Sequence, residues 1–159
     1  MEIAILLILT LIVVWVLVKR KNIYFLEAIA IWMIASLCFQ DITGIIAMNN
    51  KWIDLPHRIH LFWAATIDRV LFMPALIVLY IDIYATIQTV IKRSILTACW
   101  VVLLVVDEYL NFWSGFVRPE HWNIGSSIIE SSIVLLIVLI ARRYLHFLFT
   151  KEGYKHDYF

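Results

Sequence analysis

The sequence predicts an all-α integral membrane protein, a single transmembrane domain over residues 1–159 built from about five spanning helices. Three observations carry that expectation. Of the residues, 64% are hydrophobic and only 16% charged, with a mean hydropathy of +0.90, whereas a soluble domain carries about 45–50% apolar and about 25% charged residues. So much apolar surface has no place on a water-facing exterior. The apolar residues also fall in long continuous runs, not in the alternation of barrel strands. Finally, Lys and Arg gather on one side of the chain once five spans are drawn. Composition excludes other classes as well. Low Gly and Pro argue against disorder and collagen, two cysteines against a disulfide scaffold, and a net charge of +1 against a nucleic-acid partner.

A spanning helix needs about 20 apolar residues, or about 17 when polar ends snorkel. The first span, 3–18, is short and stops at Lys19, Arg20 and Lys21. Glu2 precedes it and no A-x-A site follows, so it reads as an N-out anchor and not as a cleaved signal. The second, 23–48, meets Gln40 and Asp41 near its end. The third, 61–91, contains Asp68, Arg69, Pro74 and Asp82. Both are longer than the bilayer is thick, so their outer ends are expected to tilt or to lie along the interface. The fourth is 94–113 and the fifth 124–149. Connections at 19–22 and 92–94 are short enough to predict tight antiparallel hairpins, helix one with two and three with four.

Counting charges sets the orientation. One side holds Lys19, Arg20, Lys21, Lys92, Arg93, Arg142, Arg143, Lys151 and Lys155. The other holds Lys51, Arg58 and Arg118, with Arg69 close to it. The positive-inside rule gives N-out/C-in. Trp52, Trp63, Trp113 and Trp122 gather at the outer interface, which suits their amphipathic rings. The basic and aromatic run from Arg142 to Phe149 suits anionic headgroups. Cys38 and Cys99 lie at different depths, too far apart for a bridge.

Acidic residues favour the opposite side. Asp41, Asp68, Glu108 and Glu130 fall within a turn or two of the outer ends of spans two to five. Charges near the bilayer centre are costly, so such groups face the bundle interior or water. Spacing agrees: Asp68, Ala75, Asp82 and Thr89 recur every seven residues, Thr97, Leu104, Glu108 and Asn111 align, and Ser127, Glu130, Ser131 and Val134 do the same. Ser127-x-x-x-Ser131 permits close helix approach. Asp82 stands apart, deep in a 70–91 core with no cation within a helical turn. The candidate polar cavity is thus Asp41, Asp68, Asp82, Glu108 and Glu130, with Arg58 and Arg69 as charge partners. Such a set either satisfies itself structurally or opens outward to hold a proton or cation.

Histidines 57, 60 and 121 form the one metal-like constellation, with Asp54, Asp41 or Glu108 to complete it. Interfacial histidines in a wet loop are the favoured reading, because Pro56 precedes the pair and no H-E-x-x-H supplies a base. No G-x-S-x-G and no Gly-rich phosphate loop occurs. No catalytic residue, metal or cofactor is therefore expected.

Asp41, Trp52, Pro56-His57-Arg58, Asp68 followed by Pro74, Glu108-Tyr109, His121-Trp122 and Arg142-Arg143-Tyr144 together resemble the small uncharacterised multi-pass membrane proteins of endospore-forming bacteria. The resemblance covers roughly residues 39–149, and Leu55 departs from the family's Tyr before the proline. It implies a bacterial plasma membrane and a spore-forming host, but no reaction. The leading expectation is a non-catalytic structural or accessory protein of the bacterial envelope. Its partners would be the bilayer and another membrane protein or a second copy of itself. The alternative is a small oligomeric channel or transporter for protons or cations using Asp82 and the outer carboxylates. An intramembrane metal-dependent enzyme comes third.

Overall fold

A computed structural model describes residues 2–20, 22–50, 53–54, 58–115 and 118–151, and among them five helices run up and down beside one another. They are α1 (Glu2–Arg20), α2 (Phe25–Asn50), α3 (Ile59–Thr86), α4 (Val90–Trp113) and α5 (Ile124–Lys151). Four of them, α1, α2, α3 and α5, are long and apolar enough to cross a membrane. Helix α4 carries Lys92, Arg93, Asp107 and Glu108 and falls outside that set. It nevertheless meets α3 near both ends: Tyr80 meets Thr97 at one, and Asp68 meets Asn111 at the other. Two short strands, β1 (Ile53–Asp54) and β2 (Arg118–Pro119), pair antiparallel and tie the α2–α3 connection to the α4–α5 connection.

The expected third span, 61–91, ends early. Thr86 turns its hydroxyl back onto the Ile83 carbonyl at 2.7 Å, and Ile87 adopts an extended backbone. Thr86, Ile87 and Thr89 are all β-branched and lose side-chain freedom in a helix, so the chain breaks there. Arg93 holds the corner by donating its Nε to the Ile87 carbonyl at 2.7 Å. Helix α4 consequently starts at Val90, ahead of the expected residue 94.

Helix α3 is interrupted once more, without breaking. Pro74 has no N–H and its ring crowds the carbonyl four residues earlier, that of Val70. The helix answers with a π turn over Asp68–Phe72, in which the Met73 N–H reaches back five residues to the Asp68 carbonyl. The freed Val70 carbonyl points at α2, where Trp32 Nε1 and Ser36 Oγ both donate to it at 3.1 Å. A neighbouring helix thereby satisfies the group that the proline released, which is how apolar surroundings tolerate such a residue.

The core runs through the middle of the bundle. Ile31 and Ala35 of α2, Ile77 and Ile81 of α3, Leu104 of α4, and Val134, Leu135 and Val138 of α5 are all buried. Ser127, Ser131, Val134 and Val138 recur on one face of α5, and the two serines let α5 approach its neighbours closely. Outward faces are apolar too, among them Leu11, Ile12 and Trp15 of α1 and Leu136 and Ile140 of α5.

The hairpin of helices one and two differs from expectation. Helix α1 lies against α3, where Leu6 packs on the small Ala64 and Ala65, and an apolar cleft of about 320 Å³ separates it from α2. A four-residue link brings helix ends together but does not decide which faces pack. That decision falls to the alanines at one end of α3 and, at the other, to Asp82.

Candidate functional site

Buried polar residues collect at two levels, one at each end of the bundle. At the end where Trp63 and Trp113 are exposed, the π turn presents Asp68, which is 1% exposed, toward α4. Asn111 donates its Nδ2 to Asp68 Oδ2 at 2.8 Å and to Asp107 Oδ2 at 3.2 Å, so one amide bridges two carboxyls. Asp68 Oδ1 is buried and has no hydrogen-bond partner among the described residues. Beside it lies a space of about 20 Å³, bounded by Arg69, Glu108, Glu130 and Ser131 with Phe39, Met73 and Phe112. That is room for a single water. Glu108 faces Ser127 and Trp122, and the Trp122 Nε1 donates to Ser127 Oγ at 2.9 Å. Asn123 places this corner by accepting the Ser126 N–H on its side-chain oxygen at 3.1 Å, a cap at the start of α5.

At the opposite end the pattern is one of cations meeting single acids. Arg20 Nε lies 2.6 Å from Asp82 Oδ2, and Asn22 adds its backbone N–H at 3.1 Å and its Nδ2 at 3.0 Å. Asp82 is thus enclosed by the last turn of α1 and the link that follows. Glu27, 1% exposed, faces Arg142 Nε at 3.3 Å and joins α2 to α5. Tyr80 and Thr97 share a hydroxyl hydrogen bond at 2.8 Å, and the Arg93 guanidinium sits 4.8 Å above the Tyr84 ring.

Of the five acids expected to form one cavity, Asp68, Glu108 and Glu130 share the space beside Arg69. Asp82 does not join them. It was expected deep in the membrane without a cation, but α3 ends at Thr86, one turn beyond it, and its cation arrives from 62 residues away in the chain. Spacing along one helix carries no information about such a partner. Asp41 is exposed on α2, and Arg58 is exposed ahead of α3. His60 and His121 are exposed, His57 lies outside the described residues, and among the described residues no group of three His, Cys, Asp or Glu is placed to hold a metal. Cys38 and Cys99 are both free thiols.

Sequence reasoning missed Glu27 and the pairing roles of Arg20 and Arg142, and it placed Asp107 among the outer acids but not in the candidate cavity. A signal for Glu27 did exist. It stands four residues before Ile31 and eight before Ala35, on the seam that α2 buries, so its carboxyl requires a cation. Compared with protein-family models, with curated proteins and with solved structures, the chain matches none of them.

Proposed function

We propose that this chain is a non-catalytic structural or accessory protein of the bacterial plasma membrane, with five spans, N-out/C-in, that works by packing against another membrane protein or a second copy of itself. One observation carries this reading. The ionisable residues of the interior stand at two levels with a packed apolar layer of Ile31, Ile77, Leu104, Val134 and Val138 between them, and this division favours a scaffold over a conduit. The orientation draws support from Arg20, Arg93 and Arg142, which all lie at one end of the bundle. Helix α4 counts as the fifth span because its polar residues meet groups of α3 at both ends. Placement in a spore-forming host rests on the family resemblance alone.

A second reading draws on Asp68. A buried carboxylate oxygen without a partner, next to Glu108 and Glu130, suits a group that takes up and releases a proton. The two readings separate in reconstituted vesicles under a proton or cation gradient. The structural role expects no flux above that of empty vesicles, and a flux abolished by Asp68→Asn would replace it with the transport role. Reporters fused to the two termini are expected to report opposite sides, and a shared side would reject five spans.

A further inference from the structure

From the cleft at the arginine end, between α3, α4 and α5, we infer a specific site for one anionic phospholipid. Three arginines from two helices border this space of about 480 Å³: Arg93 of α4, and Arg142 and Arg143 of α5. His146 lies one turn beyond Arg142 on the same wall, Tyr84 closes the α3 side, and Leu139 and Ile140 form the floor. The volume is that of a small-molecule site.

Charge decides the class of ligand. Among the described residues facing this region, the neighbouring acid is Glu27, which is engaged with Arg142. Arg93 is held in place by its Nε on the Ile87 carbonyl and its guanidinium against the Tyr84 ring, and it borders the cleft. Arg143 is exposed and has no acid partner among the described ion pairs. Two guanidiniums beyond the one that Glu27 offsets therefore converge on one space, and a phosphate diester matches their fork of donors.

The floor decides the source of that phosphate. Leu139 and Ile140 lead from the arginines along α5 into its apolar outer face, where Ile140 is 62% exposed. A second hollow, of about 450 Å³, opens from the same Tyr84 and Arg93 toward Ala98 and Val101 of α4. Basic mouth and apolar walls together fit a headgroup with its acyl chains. They are also the arrangement expected of a basic pocket between membrane helices. The site lies at the Ile87 corner, where Tyr84 of α3 and Arg93 of α4 stand beside the basic face of α5. This inference rests on the chain crossing a bilayer, which the terminal reporters test independently.

Native mass spectrometry of the full chain, released from vesicles of phosphatidylglycerol and phosphatidylcholine in equal amounts, tests it. One phosphatidylglycerol per chain should stay bound in preference to phosphatidylcholine. Arg93→Gln and Arg143→Gln should each weaken retention about fivefold, and the pair about thirtyfold, at ~1 kcal/mol per basic contact. Lys19→Gln removes the same charge at the same end of the bundle and should leave retention unchanged. Equal retention of both lipids, or an equal loss with Lys19→Gln, would overturn the site in favour of diffuse surface charge. Displacement of the lipid by millimolar inorganic phosphate would overturn the lipid assignment. Circular dichroism and melting temperatures matching wild type confirm that the exposed Arg143→Gln variant reports binding and not misfolding.

Discussion

Arg20 Nε stands 2.6 Å from Asp82 Oδ2, across 62 residues of chain, and fastens the end of α1 to the end of α3. Since α1 packs on α3 and not on α2, this contact and the Leu6 packing on Ala64 and Ala65 hold the helix at its two ends. Arg20→Ala leaves Asp82, 1% exposed, with only the two Asn22 donors. The expected loss is about 2 kcal/mol, below the ~3–5 kcal/mol of a fully buried pair, because water reaches the arginine and replaces part of the interaction. Adding Asp82→Asn to that variant should restore most of the loss. Thermal melting in detergent reads both, and an unchanged melting point for Arg20→Ala would mean that α1 is held by its apolar contacts alone.

Glu27 and Arg142 invite the corresponding cycle with a different balance. Arg142 is 20% exposed and Glu27 1%, so the pair is drier than Arg20 with Asp82. Arg142→Ala should cost about 3 kcal/mol, the Arg142→Ala/Glu27→Gln double variant clearly less. A double variant as unstable as the sum of the singles would show that the two side chains do not couple.

The Val70 carbonyl gives a test of the proline's role. Trp32→Phe and Ser36→Ala each remove one donor, at about 1 kcal/mol apiece, and together they leave a buried carbonyl bare, so the double loss should exceed the sum. Pro74→Ala returns an N–H to the helix and should shrink that double loss. Equal losses with and without Pro74 would separate the two hydrogen bonds from the proline.

At the other polar level, Asn111→Leu removes the amide that bridges Asp68 and Asp107. An ordinary hydrogen bond contributes about 1 kcal/mol, and Asn111→Leu breaks two of them and leaves buried acceptors bare, so a loss of about 3 kcal/mol is expected. Asp68→Asn keeps an oxygen for Asn111 and removes the charge, and it should stay within about 1 kcal/mol of wild type. A severe loss from Asp68→Asn would mean that the carboxylate itself, and not its shape, is what the site requires.

Much of this architecture is legible in composition and period. The alignment of Ser127, Ser131 and Val134, and of Leu104 with Glu108, follows from helical spacing alone, and each of these residues is buried where the spacing places it. Helix ends were harder to read, because Thr86 to Thr89 break α3 by local side-chain preference inside an apolar run that hydropathy joins together. Partners were hardest. Arg20, Arg93 and Arg142 belong to the cation count on which the proposed orientation rests, and the same residues hold Asp82, the Ile87 carbonyl and Glu27. Counting cations by side shows the first role. Only the packing of α1 on α3 and of α5 on α2, with the corner between α3 and α4, shows the second.

The π turn has a consequence for direction. In an uninterrupted α-helix, Asp68 and Asp82, two heptads apart, would differ by only about 40° around the axis. The one extra residue in the π turn sets everything after Phe72 back by roughly another 100°. Two acids that share a seam in the sequence therefore look out from nearly opposing sides of one rod, Asp68 toward Asn111 of α4 and Asp82 toward Arg20 of α1. By adding a fraction of a turn, Pro74 lets a single helix serve two neighbours that could not both stand on the same side of it.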